Sequence, residues 1–251
     1  MEENVVVFPD LDELIDAAAE HVLSVGQAAI LHKGCFSVAF SGGTTPRHLY
    51  QRMTFPRMQD SLDWNFVHIF WGDERCVPPD HVESNYRMAR EALLDYLPIP
   101  AENVHRIMTE LPPQEAASQY EDELKDFFGL GLEGKPPKFD LLLLGMGSDG
   151  HTASLFPHTA VLKEDQGWVV AHYVEPIAAW RVTLTPVVLN AAHDVLFLVT
   201  GEEKARVLRE VIKGPYQPEV FPAQLLQPAS GNLHWFIDEP AARDLIPKQK
   251  W

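Results

Sequence analysis

The chain has 251 residues, of which 20 are Lys or Arg and 36 are Asp or Glu, so its formal net charge is −16 at pH 7. Apolar residues make up 46% of the sequence, which excludes a disordered protein, and the acidic balance argues against nucleic acid or an anionic membrane as the main partner. Cys35 and Cys76 are too few for a disulfide framework, so we expect free thiols, without a metal role, in a reducing compartment.

The N-terminus is acidic and lacks the basic region and long apolar run of a signal peptide, so we expect a cytoplasmic protein. From there, apolar runs of strand length alternate with helical patterns. In the first half of the chain these patterns predict strands over 5–8, 36–40, 65–72 and, more briefly, 103–107. They predict helices over 11–33, 47–53, 86–97 and 114–128, with end signals at Gly34, Pro98 and Gly129.

The second half continues the alternation. The run FDLLLLG over 139–145 is continuously apolar, as expected of a strand that is covered on both faces. Further strands are predicted over 168–174, 181–185, 194–201 and 233–238, and a helix over 202–214. We therefore expect a single α/β domain over 1–251, with a mostly parallel, twisted, Rossmann-like sheet flanked by helices. Ligands bind at the carboxyl ends of the strands in such sheets, so the loops after strands are the candidate sites.

The first of these loops, SGGTTP, follows the strand over 36–40. Its glycines allow the backbone to approach a ligand, and the helix start behind it offers free N–H groups and the positive end of the helix dipole. It lacks the Gly-Lys-Ser/Thr ending of a Walker A loop. The loop indicates an anion site, with an ordinary strand-to-helix turn as the alternative. Its candidate ligand-binding residues are Ser41, Gly42, Gly43, Thr44 and Thr45.

The second loop begins at the end of the predicted strand NFVHIFWG and places Asp73 and Arg75 at the ligand-binding edge. For this tripeptide, Asp-Glu-Arg, a solvated turn is the simpler interpretation when it is taken alone. Ser84 and Asn85, further along, are typical of a helix cap.

The third loop, GMGSDGHTASLFP over 145–157, contains the GxGxxG pattern of dinucleotide-binding proteins. Its place in mid-chain, the early Pro157 and the charged residues in the turn weaken that interpretation, whereas Glu175 lies near the spacing of a ribose-binding acid and keeps it open. Asp149 and His151 suit general acid–base chemistry, because a carboxylate can orient an imidazole, fix its tautomer and stabilise its protonated form.

Two isolated cations accompany the predicted second-half strands. Arg181 opens the strand over 181–185, and Lys204 lies at the start of the helix after the strand over 194–201. A cation at a helix N-terminus is unfavourable for the helix, and an anionic ligand between the two would relieve the conflict. The alternative is a solvated lysine that pairs with a nearby glutamate.

Together, the three loops resemble those of the 6-phosphogluconolactonase family, which is related to glucosamine-6-phosphate deaminase. The resemblance runs from FSVAF to LHWFID, nearly the whole chain. The pattern GxGxDGHxASLFP is highly specific, the pattern SGG-T-P is shared with the deaminases, and the segments DER and RVTLT point to the lactonase branch. The resemblance implies a phosphosugar-isomerase type of fold and the hydrolysis of 6-phospho-D-glucono-1,5-lactone in the oxidative pentose phosphate pathway.

The resemblance also implies roles for the candidate catalytic residues. His151 would deprotonate the attacking water and return the proton to the ring oxygen, while Asp149 holds the imidazole. Arg75 would bind the phosphate or polarise the lactone carbonyl. Asp73 corresponds to the acid–base carboxylate of the deaminases, and its role here is open.

The 6-phosphate is expected in the SGGTTP loop, where Gly42, Gly43 and Thr44 would cradle it, with Arg181 and Lys204 as charge partners. The resemblance implies no cofactor and no metal, since a δ-lactone is an activated ester that needs only positioning, a base and oxyanion stabilisation. The sequence itself contains no HExxH motif or nucleophile elbow.

The expected partner is a sugar phosphate lactone, without nucleic acid or membrane, and the oligomeric state is not predicted. Three alternatives remain open: a sugar-phosphate isomerase or deaminase of the same fold, an NAD(P)-binding oxidoreductase that uses GMGSDG, and a non-enzymatic sugar-phosphate sensor.

Overall fold

A computed structural model describes residues 4–130, 134–228 and 230–245. The strands in this part of the chain are β1 (Val5–Phe8), β2 (Phe36–Phe40), β3 (Val67–Trp71), β4 (Asp73–Arg75), β5 (Leu141–Leu144), β6 (Val169–Val174), β7 (Ala179–Leu184), β8 (Asp194–Val199) and β9 (Asn232–Asp238). The α-helices are α1 (Leu11–Lys33), α2 (Thr44–Met53), α3 (Pro56–Gln59), α4 (Asn85–Ala89), α5 (Pro113–Phe128), α6 (Pro186–Leu189), α7 (Ala205–Lys213) and α8 (Glu239–Ala242).

Six strands form one parallel sheet in the order β1-β9-β8-β5-β2-β3. Every residue of β2, β5 and β8 is buried, which is why these strands are apolar apart from Ser37 in β2 and Asp194 in β8. The expected α/β class with a mostly parallel sheet is confirmed. Because all six strands point the same way, their carboxyl ends share one edge, and the loops after β2, β3, β5 and β8 meet there.

A second, antiparallel sheet, β4-β7-β6, differs from the single sheet that the sequence predicts. Only Gly72 separates β3 from β4, which leaves no room for a crossover, so the chain leaves the parallel sheet and pairs with β7 instead. Gly72 anchors the junction: its N–H donates to Phe40 O (2.9 Å) and its carbonyl accepts from Leu184 N (2.8 Å). The small sheet thereby places Asp73 and Arg75 beside the carboxyl edge of the large one.

The long helix α1 is built as a core helix. The Asp10 side chain caps its start, and Gly34 closes it in the left-handed conformation at φ 85°. Length and composition alone would allow this helix to cross a membrane. Its apolar face, however, packs into the protein core: the buried residues of α1 are Leu14, Ile15, Ala18, Ala19, Val22, Leu23 and Gly26.

Three local predictions differ from the structure in kind or in extent. The segment 103–107 forms only an isolated bridge, between Val104 and Ile69, instead of a strand. The strand predicted over 65–72 begins at Val67, because 64–66 form a 3₁₀ turn capped by Asp63. The helix predicted over 86–97 is α4 followed by a π-helical turn over Arg90–Leu94.

Candidate active site

A cavity of about 350 Å³ opens at the carboxyl edge of the parallel sheet. Residues from all three predicted loops line it, together with the end of β8 and the segment between β8 and α7. The predicted site residues on its lining are Ser41, Gly42, Gly43, Thr44, Thr45, Asp73, Arg75, His151 and Lys204.

The SGGTTP loop is shaped to expose its backbone to this cavity. Gly43 has φ 106°, which only glycine adopts without strain, and it is the residue from which α2 starts. The buried Tyr50 hydroxyl donates to Ser41 O (2.9 Å) and accepts from Ser41 N (3.0 Å), which fixes the end of β2. Ser41 Oγ is buried at the cavity and makes no hydrogen bond within the described residues. The loop therefore offers a helix start to a ligand, above a buried hydroxyl that lacks a partner among the described residues.

Asn85 packs directly over this loop. A Cβ at Gly42 would collide with its side-chain amide, so glycine is required there for close approach. Asn85 Nδ2 also donates to Asp73 O (2.9 Å). Ser84 is the N-cap of α4, as predicted, but Asn85 is a cavity residue that the sequence interpretation assigned to the cap alone.

Glu74, which received no role from the sequence, holds this arrangement in place. It is buried, and its carboxylate accepts from the backbone N–H groups of Arg75, Asn85 and Tyr86, each at 2.8 Å, and from the Ser84 hydroxyl at 3.1 Å. Burial nevertheless raises the pKa of Glu74, since desolvation outweighs these hydrogen bonds. Glu74 thereby fixes the backbone of Asn85 beside the cavity.

Asp73 joins the second and third loops. Its Oδ2 accepts a hydrogen bond of 2.6 Å from the Ser154 hydroxyl, and its Oδ1 lies 3.4 Å from Asn85 Nδ2. Ser154 O in turn lies 2.8 Å from His172 Nε2, and burial lowers the pKa of His172. The Asp73 carboxylate is therefore both a lining group of the cavity and a structural link. Ala153, which precedes Ser154 in the third loop, has a positive φ of 47°. This strained conformation lies at the cavity wall.

The third loop brings Asp149 and His151 together in the way that their spacing predicts. Asp149 Oδ1 lies 2.6 Å from His151 Nδ1 and accepts from the His151 backbone N–H at 3.1 Å. Burial tends to raise the pKa of Asp149, but the hydrogen bonds and charge of His151 outweigh it and lower that pKa. Both side chains fold over Gly147, where a Cβ would collide with them. With Nδ1 bound to the carboxylate, His151 Nε2 is the nitrogen that remains to accept a proton.

The His151 ring is also held from its face, because it stacks on Phe156 with a centroid distance of 4.3 Å. Asp149 lies behind His151 and does not itself line the cavity. No helix begins between residues 145 and 159, so the GxGxxG pattern lacks the helix N-terminus on which a pyrophosphate would sit. This geometry contradicts the dinucleotide interpretation of the loop.

The cations separate into two groups. Arg75 and Lys204 line the cavity, and neither forms an ion pair with a carboxylate among the described residues. Arg75 donates to the Glu83 carbonyl at 2.5 Å. Arg181 does not line the cavity: it lies opposite Arg75 in the β4–β7 pairing and faces a neighbouring groove with Cys76 and Glu83. Burial, and next the charge of Arg75, lower the pKa of Arg181. Two like charges opposite each other on paired strands are unfavourable unless an anion lies close to both.

Thr200 and Glu203 are further cavity residues that no sequence motif indicated. Thr200 Oγ1 lies 2.7 Å from Thr45 Oγ1, a hydrogen bond that ties the loop after β2 to the end of β8. Thr200 and Glu203 lie in the same loop as Lys204. The predicted ligand-binding role of Lys204 is therefore the sequence feature that indicates these two residues as cavity residues.

A family model described as glucosamine-6-phosphate isomerases/6-phosphogluconolactonase matches residues 9–235. The chain belongs to this family. Among its curated relatives, a 6-phosphogluconolactonase from Nostoc sp. is 39% identical over 98% of this chain and 99% of the relative. One from Synechocystis sp. is 40% identical over 93% of this chain and 95% of the relative.

Solved structures of family members superpose closely on this fold. The 6-phosphogluconolactonase from Trypanosoma cruzi has a TM-score of 0.85 at 32% identity, with 96% of each chain covered. The structure of a devB protein has a TM-score of 0.89 at 33% identity, with 97% of this chain and 99% of that one covered. A monomeric glucosamine-6-phosphate deaminase, at 18% identity and a TM-score of 0.81, shares the fold.

Proposed function

We propose that this protein hydrolyses 6-phospho-D-glucono-1,5-lactone to 6-phospho-D-gluconate in the oxidative pentose phosphate pathway, with His151 as the general base. Full-length similarity to relatives named 6-phosphogluconolactonase supports the reaction. The observation that carries the proposal for the site is the Asp149–His151 pair at a cavity lined by two cations, Arg75 and Lys204, that form no ion pair among the described residues. We also propose that the enzyme acts in the cytoplasm.

The phosphate group is assigned to the SGGTTP loop. Ser41, the start of α2 and Lys204 all line the cavity, and together their hydroxyl, backbone N–H groups and ammonium offer donors and charge for a dianion. We assign Arg181 as a second charge partner of the phosphate, which requires its side chain to turn from the neighbouring groove towards the cavity. Local charge matters here because the chain as a whole, at −16, repels an anionic substrate.

The reaction then follows from the position of one nitrogen. A water bound between His151 Nε2 and the lactone gives its proton to Nε2 as its oxygen attacks the C1 carbonyl. Asp149, still ionised because its pKa is lowered, stabilises the imidazolium that forms. Arg75 is the group that we assign to the oxyanion of the tetrahedral intermediate, since it is the lining cation that remains once Lys204 is assigned to the phosphate.

Collapse of the intermediate breaks the bond between C1 and the ring oxygen. The imidazolium returns its proton to that oxygen, which becomes the C5 hydroxyl, while the carboxylic acid ionises to solvent. The ester is already reactive, so positioning, one base and one oxyanion partner are sufficient. Asp73 is engaged by Ser154 and Asn85, and we assign it to holding the cavity wall.

Product analysis tests this function. The purified chain is incubated with freshly generated 6-phosphogluconolactone, with glucono-δ-lactone lacking the phosphate, and with glucosamine 6-phosphate. We expect hydrolysis above the spontaneous rate for the first, much weaker hydrolysis for the second, and no ammonia from the third. Ammonia release without lactone hydrolysis would assign the chain to the deaminase branch instead.

A further inference from the structure

A cluster of side chains that can ligate a metal lies at the edge of the parallel sheet opposite the cavity. Asp194 is the first residue of β8, His234 lies near the start of β9, and His21 comes from α1. The end of β8 lines the cavity, and the strand between is about 17 Å long at about 3.3 Å per residue. The cluster is therefore outside the site where the chemistry is proposed.

The three side chains converge on one point. His21 Nε2 lies 2.8 Å from Asp194 Oδ1, and His234 Nε2 lies 3.5 Å from Asp194 Oδ2. The three candidate ligand atoms all lie within 4.8 Å of one another. Ligand atoms that bind a tetrahedral Zn²⁺ at about 2.0–2.1 Å are about 3.3 Å apart. Small side-chain rotations thus suffice to bring both nitrogens and one carboxylate oxygen onto one ion.

The backbone holds the cluster in register. Asp194 pairs with Asn232 in the parallel sheet, so Asn232 and His234, two residues apart, lie on the same face as Asp194. Asn232 Nδ2 lies 3.3 Å from Asp194 Oδ2, and the rings of His21 and His234 pack edge to face at 5.0 Å. Asp194 thus has a supporting amide of the kind that orients ligands in metal sites.

We propose that His21, Asp194 and His234 form a binding site for a first-row divalent transition ion of the Zn²⁺ type. Two imidazoles and one carboxylate are a ligand set that such ions favour over Mg²⁺ or Ca²⁺, which prefer oxygen alone. The histidine side chains are partly exposed, so the ion can enter from solvent and complete its coordination with water. The bound ion links α1 to β8 and β9, which lie far along the chain: His21 and Asp194 are 173 residues apart. We expect a stabilising role, independent of lactone hydrolysis.

The test uses the full-length, tag-free chain, freed of metal by chelation. Zn²⁺ binding is measured by calorimetry, Co²⁺ binding by its visible absorption, and Mg²⁺ serves as the ion that should not bind. The variants are His21→Gln and His234→Gln, with His32→Gln as the matched control, since His32 is an exposed histidine on α1 away from the cluster. Thermal unfolding without metal checks that each variant is folded.

We expect one equivalent of Zn²⁺, an intense visible spectrum with Co²⁺, and a rise in the unfolding midpoint on metal addition. Each ligand variant should bind more than about 100-fold more weakly, exceeding the about 10–100-fold loss typical of supporting residues, while His32→Gln binds normally. Lactone hydrolysis should be the same in all three variants. Zn²⁺ binding that persists in both ligand variants would place the ion elsewhere and overturn the proposal, as would a wild-type chain that binds no Zn²⁺. Should one ligand variant fail to fold, the other ligand variant decides by the same comparison with His32→Gln.

Discussion

The carboxylate behind His151 offers the sharpest test of how the site works. Asp149 Oδ1 accepts two hydrogen bonds from the same residue, one from the His151 ring at 2.6 Å and one from its backbone N–H at 3.1 Å. In Asp149→Asn, the backbone donor still requires an acceptor at that position, so the amide should present its oxygen, not its NH₂ group, to Nδ1. The tautomer of His151 is then kept, and only the negative charge is lost. Asp149→Ala loses both.

The magnitudes follow from the strength of these bonds. A hydrogen bond to a charged group contributes about 1.5–3 kcal/mol and a neutral one about 1 kcal/mol. The side chains of Asp149 and His151 are 47% and 30% exposed, so solvent screening favours the lower ends of these ranges. Asp149→Ala should therefore reduce kcat by about 10- to 100-fold, and Asp149→Asn by about 2- to 10-fold.

The assay is steady-state hydrolysis of 6-phosphogluconolactone, corrected for the spontaneous rate. KM and the unfolding midpoint of each variant serve as controls, and both should stay near wild type, because neither the phosphate loop nor the core is altered. The reasoning is refuted if the Asn variant is as impaired as the Ala variant or worse, since that result means that the amide inverts and fixes the wrong tautomer.

Three further changes probe the phosphate site and the supporting network. Lys204→Met should lower kcat/KM for the phosphorylated lactone by about 10- to 100-fold, as expected for the loss of a charged hydrogen bond, and leave hydrolysis of glucono-δ-lactone unchanged; equal losses on both substrates would contradict a phosphate role. Gly42→Ala should raise KM and destabilise the fold by about 1–3 kcal/mol, because its methyl group would overlap the Asn85 amide; chemical denaturation and kinetics measure both, and a variant with wild-type values would show that the close approach is unimportant. Since burial lowers the pKa of His172 in the folded state, its neutral imidazole contributes stability above about pH 6.5 that is lost as the pH drops below that value, so the loss of stability between about pH 7.5 and about pH 5.5 should be smaller in His172→Gln than in the wild type. Denaturation midpoints at these two pH values measure the difference, and identical pH profiles would refute the reasoning.

The sequence was most informative where a chemical requirement is local. The continuously apolar run that forms β5 predicted a strand covered on both faces, and the short spacing of Asp149 and His151 predicted a contact that the structure shows at 2.6 Å. The sequence predicts that Gly42 lets the backbone approach a ligand. It does not predict the contact of Gly42 with Asn85, which lies 43 residues later, because tertiary packing sets that contact.

The remaining features depend on long-range pairing. The antiparallel sheet arises because β4 follows β3 after a single residue, and no periodicity in the three residues of β4 distinguishes a short strand from a turn. Glu74 was overlooked because a buried carboxylate that accepts four hydrogen bonds looks, in sequence, like any surface glutamate. The cluster of His21, Asp194 and His234 was invisible for the same reason, since its members have no motif spacing and meet only in the folded sheet.

The central claim is that His151 activates the water that opens the lactone. The most direct measurement is hydrolysis of 6-phosphogluconolactone by wild type and His151→Ala side by side, each against the spontaneous rate. Removal of a general base should lower kcat by about 10²- to 10⁴-fold, while an unreactive sugar phosphate still competes for the site with its wild-type inhibition constant. A His151→Ala variant with near-native turnover would contradict the claim and remove His151 from the mechanism.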